Sequence, residues 1–199
     1  MMTVEFLNDI FNQYGGIMQT SQLEKFGISY RKIQKLIENG YIEKIRTGYY
    51  QWQDDRAFSD ISAIVTLFPE AILCDDTALM YYGYTDRTAV KWHFAVDSKS
   101  SRTKYVFDYI DLKPHYIDSK RLNIGVSSGE IDGVKVKIYD RERVICNCLR
   151  HSGTMDAEIY RTAVKKYISD PEKDISKLIK YAQILGVEKK AREVIYVWL

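Results

Sequence analysis

Thr20-Ser21-Gln22-Leu23-Glu24-Lys25-Phe26-Gly27-Ile28-Ser29-Tyr30-Arg31-Lys32-Ile33-Gln34-Lys35-Leu36-Ile37-Glu38-Asn39-Gly40 is the stretch on which the fold turns. Residues 20–26 read as a short helix stopped at Gly27, with Ser21 and Glu24 at capping-box spacing. Gly27 can take the left-handed conformation that a tight turn between helices needs. Ser29 is a good N-cap for a second helix that runs to Asn39 and stops at Gly40. Tyr41–Arg46 and Tyr49–Gln53 then read as two strands around a Thr47-Gly48 turn, with Tyr50 and Trp52 alternating against Tyr49, Gln51 and Gln53. Two helices, a sharp turn and a ribbon, in that order, predict a winged helix-turn-helix, whose second helix normally enters a DNA major groove.

The second helix has two faces. At 100° per residue Ile33, Leu36 and Ile37 cluster inward, while Arg31, Gln34, Lys35 and Glu38 fall opposite, with Lys32 at the edge and Tyr30 near the start. Arg suits guanine edges, Gln suits adenine edges and Lys neutralises phosphate. Lys44, Arg46 and Thr47 give the ribbon a basic tip that reaches the phosphate backbone or the minor groove. The expected DNA-binding residues are therefore Tyr30, Arg31, Lys32, Gln34, Lys35, Lys44, Arg46 and Thr47. Glu38, Glu43, Asp54 and Asp55 dilute the local field, and the bland alternative is a winged helix that binds protein only.

Outward from this stretch, Thr3 to Tyr14 forms an amphipathic helix with Val4, Leu7, Phe11 and Tyr14 in its stripe, widened by Phe6 and Ile10, and Gly15-Gly16 ends it. Asp54-Asp55-Arg56 marks a junction, giving a DNA-binding domain at residues 1–56 and a second domain at 57–199. In the second, residues 57–68 are helical up to Pro69, residues 71–74 form a buried strand, and Thr77–Tyr82 is a helix ending at Gly83. Strand-like runs cover Trp92–Val96, Tyr109–Ile117, Leu122–Val126 and Val134–Tyr139, with Gly129 to Gly133 as the turn before the last. Helices follow at about 141–151, 156–168, 174–185 and 187–198. The expected class is α+β: a winged helix-turn-helix, then a mixed α/β domain ending in a helical bundle.

A chain of 199 residues that is 46% hydrophobic can bury a sizeable core, and a net charge of +2 does not by itself argue for nucleic acid. Charge distribution says more: residues 57–118 are acidic and 119–199 basic. Arg161, Lys165, Lys166, Lys177 and Lys180 on the predicted helices are a candidate interaction surface, although such a run is usually a solvated face. Cys74, Cys146 and Cys148 are not spaced as a zinc site and read as buried free thiols. No signal peptide and no membrane-length apolar run is visible, so a soluble, cytoplasmic bacterial protein is expected.

Catalytic patterns are missing: there is no Gly-rich phosphate loop, no Gly-x-Ser-x-Gly and no His-Glu-x-x-His. His93, His115 and His151 stand apart from each other and from any ligand-spaced partner. Asp75-Asp76 invites a metal site with Asp97, Asp108 or Asp111, but N-capping of the Thr77 helix explains the pair more simply. Neither an enzyme nor a metal nor a cofactor is expected.

The Arg46-Thr47-Gly48-Tyr49-Tyr50 turn, Asp76-Thr77-Ala78-Leu79-Met80-Tyr81-Tyr82-Gly83 and Asp140-Arg141-Glu142-Arg143-Val144-Ile145-Cys146-Asn147-Cys148-Leu149-Arg150, in this order behind a winged helix, resemble the AbiEi-type antitoxins. These belong to type IV toxin–antitoxin and abortive-infection systems that defend bacteria against phage. The resemblance covers essentially the whole chain, although Val144-Ile145-Cys146-Asn147 departs from the family pattern. It implies a first domain that represses its own operon by binding inverted repeats in promoter DNA. It also implies a second domain that counters a nucleotidyltransferase toxin without requiring a stable complex. The alternative is a winged-helix regulator whose second domain senses a ligand or dimerises, with no toxin partner.

Overall fold

Threonine and glycine punctuate the first helix of the computed structural model, which describes residues 3–53, 59–107 and 109–198. Thr3 Oγ1 accepts a bond from the Phe6 amide and starts α1 (Val4–Gln13). Gly15 and Gly16, both at positive φ, turn the chain out of it. Leu7, Ile10 and Phe11 are buried as the stripe requires, but Val4 and Phe6 are exposed, so the apolar face is narrower at its start than expected.

The chain divides into two units, residues 1–69 with 131–134, and residues 70–130 with 135–199. The expected junction at Asp54-Asp55-Arg56 lies outside the described residues. In the first unit α1 is followed by β1 (Ile17–Gln19), α2 (Thr20–Lys25), α3 (Tyr30–Glu38), β2 (Ile42–Arg46), β3 (Tyr49–Trp52) and α4 (Asp60–Leu67). The strands form an antiparallel sheet in the order β1-β3-β2. β1 has no counterpart among the expected strands; it is three residues long, too short to show a period. The capping interaction of α2 is made by Gln22, whose Oε1 accepts from the Gln19 amide at 2.7 Å, because the helix begins earlier than the Ser21/Glu24 spacing implied. Gly27 and Gly40 are both left-handed at the ends of their helices. Leu7, Phe11, Met18, Leu23, Ile28, Ile33, Ile42, Tyr50 and Trp52 form the core, with Leu36 and Ile37 packed on it.

The second unit is built on a five-stranded sheet in the order β6-β5-β4-β8-β7, comprising β4 (Ile72–Leu73), β5 (Trp92–Asp97), β6 (Leu112–Ile117), β7 (Val126–Ile131) and β8 (Val134–Tyr139). β5 runs antiparallel to β4 and parallel to β6, and β4 is parallel to β8. The expected strand at Leu122–Val126 is instead the end of the short helix α6 (Ser119–Leu122) followed by the start of β7. The expected turn over Gly129–Gly133 shrinks to Asp132-Gly133, both at positive φ, as a two-residue hairpin prefers. The run from Tyr109 is strand only from Leu112.

α5 (Asp75–Tyr81) follows β4 directly. The helical half is α7 (Arg141–His151), α8 (Ala157–Ser169), α9 (Ile175–Leu185) and α10 (Glu188–Trp198), within a residue or so of the expected spans. Asp140, Asp156 and Asp174 each cap a helix with their carboxylates, and Gly186 closes α9 in the left-handed conformation. α7 is the central helix, with Glu142 to Leu149 all buried. The three cysteines are free and buried. Among the described residues no helix is long and apolar enough to cross a membrane.

Candidate functional site

The outward face of α3 is held in place from beneath. Ile33 is fully buried and Leu36 and Ile37 are half-buried, so the residues between them must face away from the core. Tyr30 is 65% exposed, Arg31, Lys32 and Lys35 are exposed, and Gln34 is half-buried. Lys32 is partly committed, since its Nζ donates to the Gly27 carbonyl at 3.0 Å. Arg31, Lys35 and Lys44 carry no ion pair among the described residues. They remain available as cations.

The ribbon β2–β3 turns at Thr47-Gly48, with Gly48 at φ 79°. Its register shifts between Lys44 and Arg46, where Ile45 bulges into the core. Lys44 and Thr47 are exposed. Arg46 is half-buried, and its guanidinium lies 5.9 Å from the centre of the Phe68 ring, so it is partly engaged within the first unit. Tyr50 and Trp52 are buried beneath the ribbon as the alternation predicts.

The basic helices of the second unit are less free than their sequence suggests. Lys166 pairs with Asp86 at 2.6 Å, and Lys177 pairs with Asp140 at 2.9 Å and Glu142 at 3.5 Å. Arg161 donates to the carbonyl of Ala157 within its own helix but is exposed, as are Lys165 and Lys180. Lys166 and Lys177 are thus engaged within the unit, and the other three form no ion pair among the described residues.

A second constellation arises where the sequence reading placed none. The parallel register of β5 and β6 sets His93 opposite Lys113 and Ala95 opposite His115, so these side chains share one face of the sheet. Both imidazoles are brought together, their ring centres 5.2 Å apart. The expectation that the histidines stand apart is therefore corrected: His93, His115 and His151 line one cavity of about 330 Å³, with Asp75, Asp76, Lys113 and Asn147.

Asp75 and Asp76 are not the N-cap of α5; Cys74 is, and the two acids occupy its first turn. Asp75 has φ 43°, a strained setting for a residue other than glycine. Its Oδ1 accepts from Asn147 Nδ2 at 2.9 Å, and its Oδ2 lies 3.1 Å from His115 Nδ1. Asp76 Oδ2 is 3.5 Å from His93 Nε2, and the His93 amide donates to Thr77 Oγ1. Burial pushes both imidazoles below the usual histidine range, against the pull of Asp76 on His93 and of Asp75 on His115. His93 Nδ1 and His115 Nε2 are buried without a hydrogen-bond partner. Asp97 and Asp111 do not join Asp75; they contact Ser119 and Lys91 instead, and Asp108 lies outside the described residues.

One signal in the sequence could have found this cluster: His93, Lys113 and His115 all belong to one parity once β5 and β6 are paired. Pairing of parallel strands about 20 residues apart is not itself written in local periodicity. No protein-family model matches the chain, and no characterised protein matches it at a significant level.

Proposed function

We propose that the first unit is a winged helix-turn-helix that binds duplex DNA, with α3 in the major groove and the β2–β3 ribbon as the wing. The observation that carries this reading is the exposed, unpaired face of Arg31 and Lys35 on a helix whose opposite side is anchored by Ile33. Tyr30 and Gln34 add hydrogen-bonding capacity to that face, while Lys44 and Thr47 supply backbone contacts from the ribbon. Lys32 and Arg46 contribute less, because each is already engaged within the unit.

Taken with the whole-chain resemblance to AbiEi-type antitoxins, this supports a cytoplasmic bacterial protein that represses its own operon and counters a nucleotidyltransferase toxin. The second unit would carry the antitoxic role; of the basic residues singled out on its helices, Arg161, Lys165 and Lys180 form no ion pair among the described residues. The cavity beside His93 and His115 favours one further reading, a regulator whose second unit senses a ligand.

A gel-shift titration against the chain's own promoter region tests DNA binding. Arg31→Ala with Lys35→Ala weakens the complex by about 1–3 kcal/mol for a base-reading arginine, plus a smaller phosphate contribution. Unchanged affinity in a folded double variant would remove α3 from the interface. Co-expression with the neighbouring gene separates antitoxin from ligand-sensing regulator: rescue from toxicity supports the first, and a neighbour without toxicity overturns it.

A further inference from the structure

The junction of β4 and α5 carries a donor set that the DNA-binding reading does not use. Cys74 Sγ, an Asp75 carboxylate oxygen and an imidazole nitrogen of His115 all lie within 4.8 Å of one another. His115 Nδ1 and Asp75 Oδ2 stand 3.1 Å apart, close to the roughly 3.3 Å between neighbouring donors on a tetrahedral ion bound at about 2.0–2.1 Å.

We propose that Cys74, Asp75 and His115 bind a divalent transition-metal ion of the zinc class. Sulfur and nitrogen donors select against magnesium and calcium, which take oxygen ligands. A thiolate and a carboxylate neutralise the dication, so the bound cluster has no net charge to bury. On binding, the Cys74 thiol loses its proton to solvent as the sulfur–metal bond forms.

Three features around the donors fit such a centre. Asn147, on the buried helix α7, donates to the Asp75 oxygen that does not face His115, fixing the carboxylate as an outer partner of a metal ligand does. Asp75 holds its strained backbone at φ 43° between Cys74 and the helix, which places two donors from adjacent residues on one centre. His93 is 5% exposed with an Nδ1 that has no partner, and its ring packs beside that of His115. Three protein donors leave one tetrahedral position open. Asp75 and His115 line the cavity and Cys74 does not, so the open position faces the cavity.

The test uses the full chain, reduced and stripped with a chelator, then titrated with Co2+ and separately with Zn2+. A single ion per chain is expected, with the visible bands of tetrahedral cobalt and a near-ultraviolet thiolate-to-cobalt charge-transfer band. Cys74→Ser abolishes the charge-transfer band, and Cys148→Ser leaves it intact. Asp75→Asn and His115→Gln each weaken binding by roughly tenfold or more, and Asn147→Leu by about tenfold. Absence of binding, or a charge-transfer band that persists in Cys74→Ser, overturns the proposal. X-ray absorption on the cobalt-loaded wild type decides the matter if Cys74→Ser does not fold: a first shell without sulfur overturns the proposal, and one sulfur supports it.

Discussion

Tyr84 shows how single side chains hold the second unit together. Its hydroxyl, on a residue only 2% exposed, donates to Asp170 Oδ2 at 2.6 Å, and Arg141 Nε reaches the same oxygen at 3.0 Å. Burial alone would raise the Asp170 carboxyl, but the Tyr84 hydroxyl, the Glu172 amide and Arg141 outweigh it and hold it below the usual range. A depressed folded-state value means that this stabilisation is present above the unfolded value of about 3.9 and is lost as pH falls through the folded one. Tyr84→Phe therefore costs about 1.5–3 kcal/mol at pH 7, the range for a hydrogen bond to a charged acceptor. In urea unfolding its gap from wild type narrows as the pH is lowered towards about 3. Glu142 makes a comparable buried hub, accepting from the Asp174 amide at 3.0 Å and pairing with Lys177. Neither hub could be read from the chain, because each joins residues more than 30 positions apart or turns on which face of α7 is buried.

Elements were legible where period and punctuation agreed. The helices from Arg141 onward, α1 and α3 carry an apolar stripe in the sequence, several with a cap or a stop as well, and their spans emerge within a residue or two. β7 departs from the expected turn for a specific reason. Gly129 looks like a turn residue, yet it sits within the strand because a Cβ there would lie 2.7 Å from the Tyr81 hydroxyl. Gly125, ahead of the same strand, is needed twice over: its φ is 75°, and a Cβ would stand 2.5 Å from Arg143 Cβ. Its carbonyl also accepts from the Asp140 amide at the start of α7. Gly133→Ala, at φ 77° in open space, costs about 1–2 kcal/mol for the left-handed backbone alone, and Gly125→Ala costs more, because its Cβ also meets Arg143. Paired chemical denaturation curves rank the two, and equal midpoints would show that the contact with Arg143 is relieved without cost.

At the scale of the molecule, chemistry is unevenly distributed. The outward cations of α3 are legible in the sequence because a helix face follows from spacing alone. The carboxylate–histidine cluster is not, because it depends on which strands pair. Among the described residues, Arg31, Lys35 and Lys44, the cations proposed to meet DNA, form no ion pair, and Glu38 is an exposed acid on the same helix as the first two. If each neutralises one phosphate, the logarithm of affinity falls with the logarithm of salt at a slope of about 3 or less per chain bound. A gel-shift or anisotropy series across salt concentrations measures that slope. A value much steeper would place further basic residues on the DNA, with Arg161, Lys165 and Lys180 the first to examine.

Asn147 belongs to two structures at once. It is 8% exposed in the middle of the most buried helix, yet its amide is spent on a carboxylate in the wall of the cavity. A leucine there would fill much the same volume, and α7 would have no reason to reject it on packing grounds. It would leave Asp75 Oδ1 without its donor and release the carboxylate from its present orientation. The hydrophobic core thus doubles as the scaffold of the cavity wall. Variation at this one position separates the chain's need to fold from its need for a shaped, polar interior.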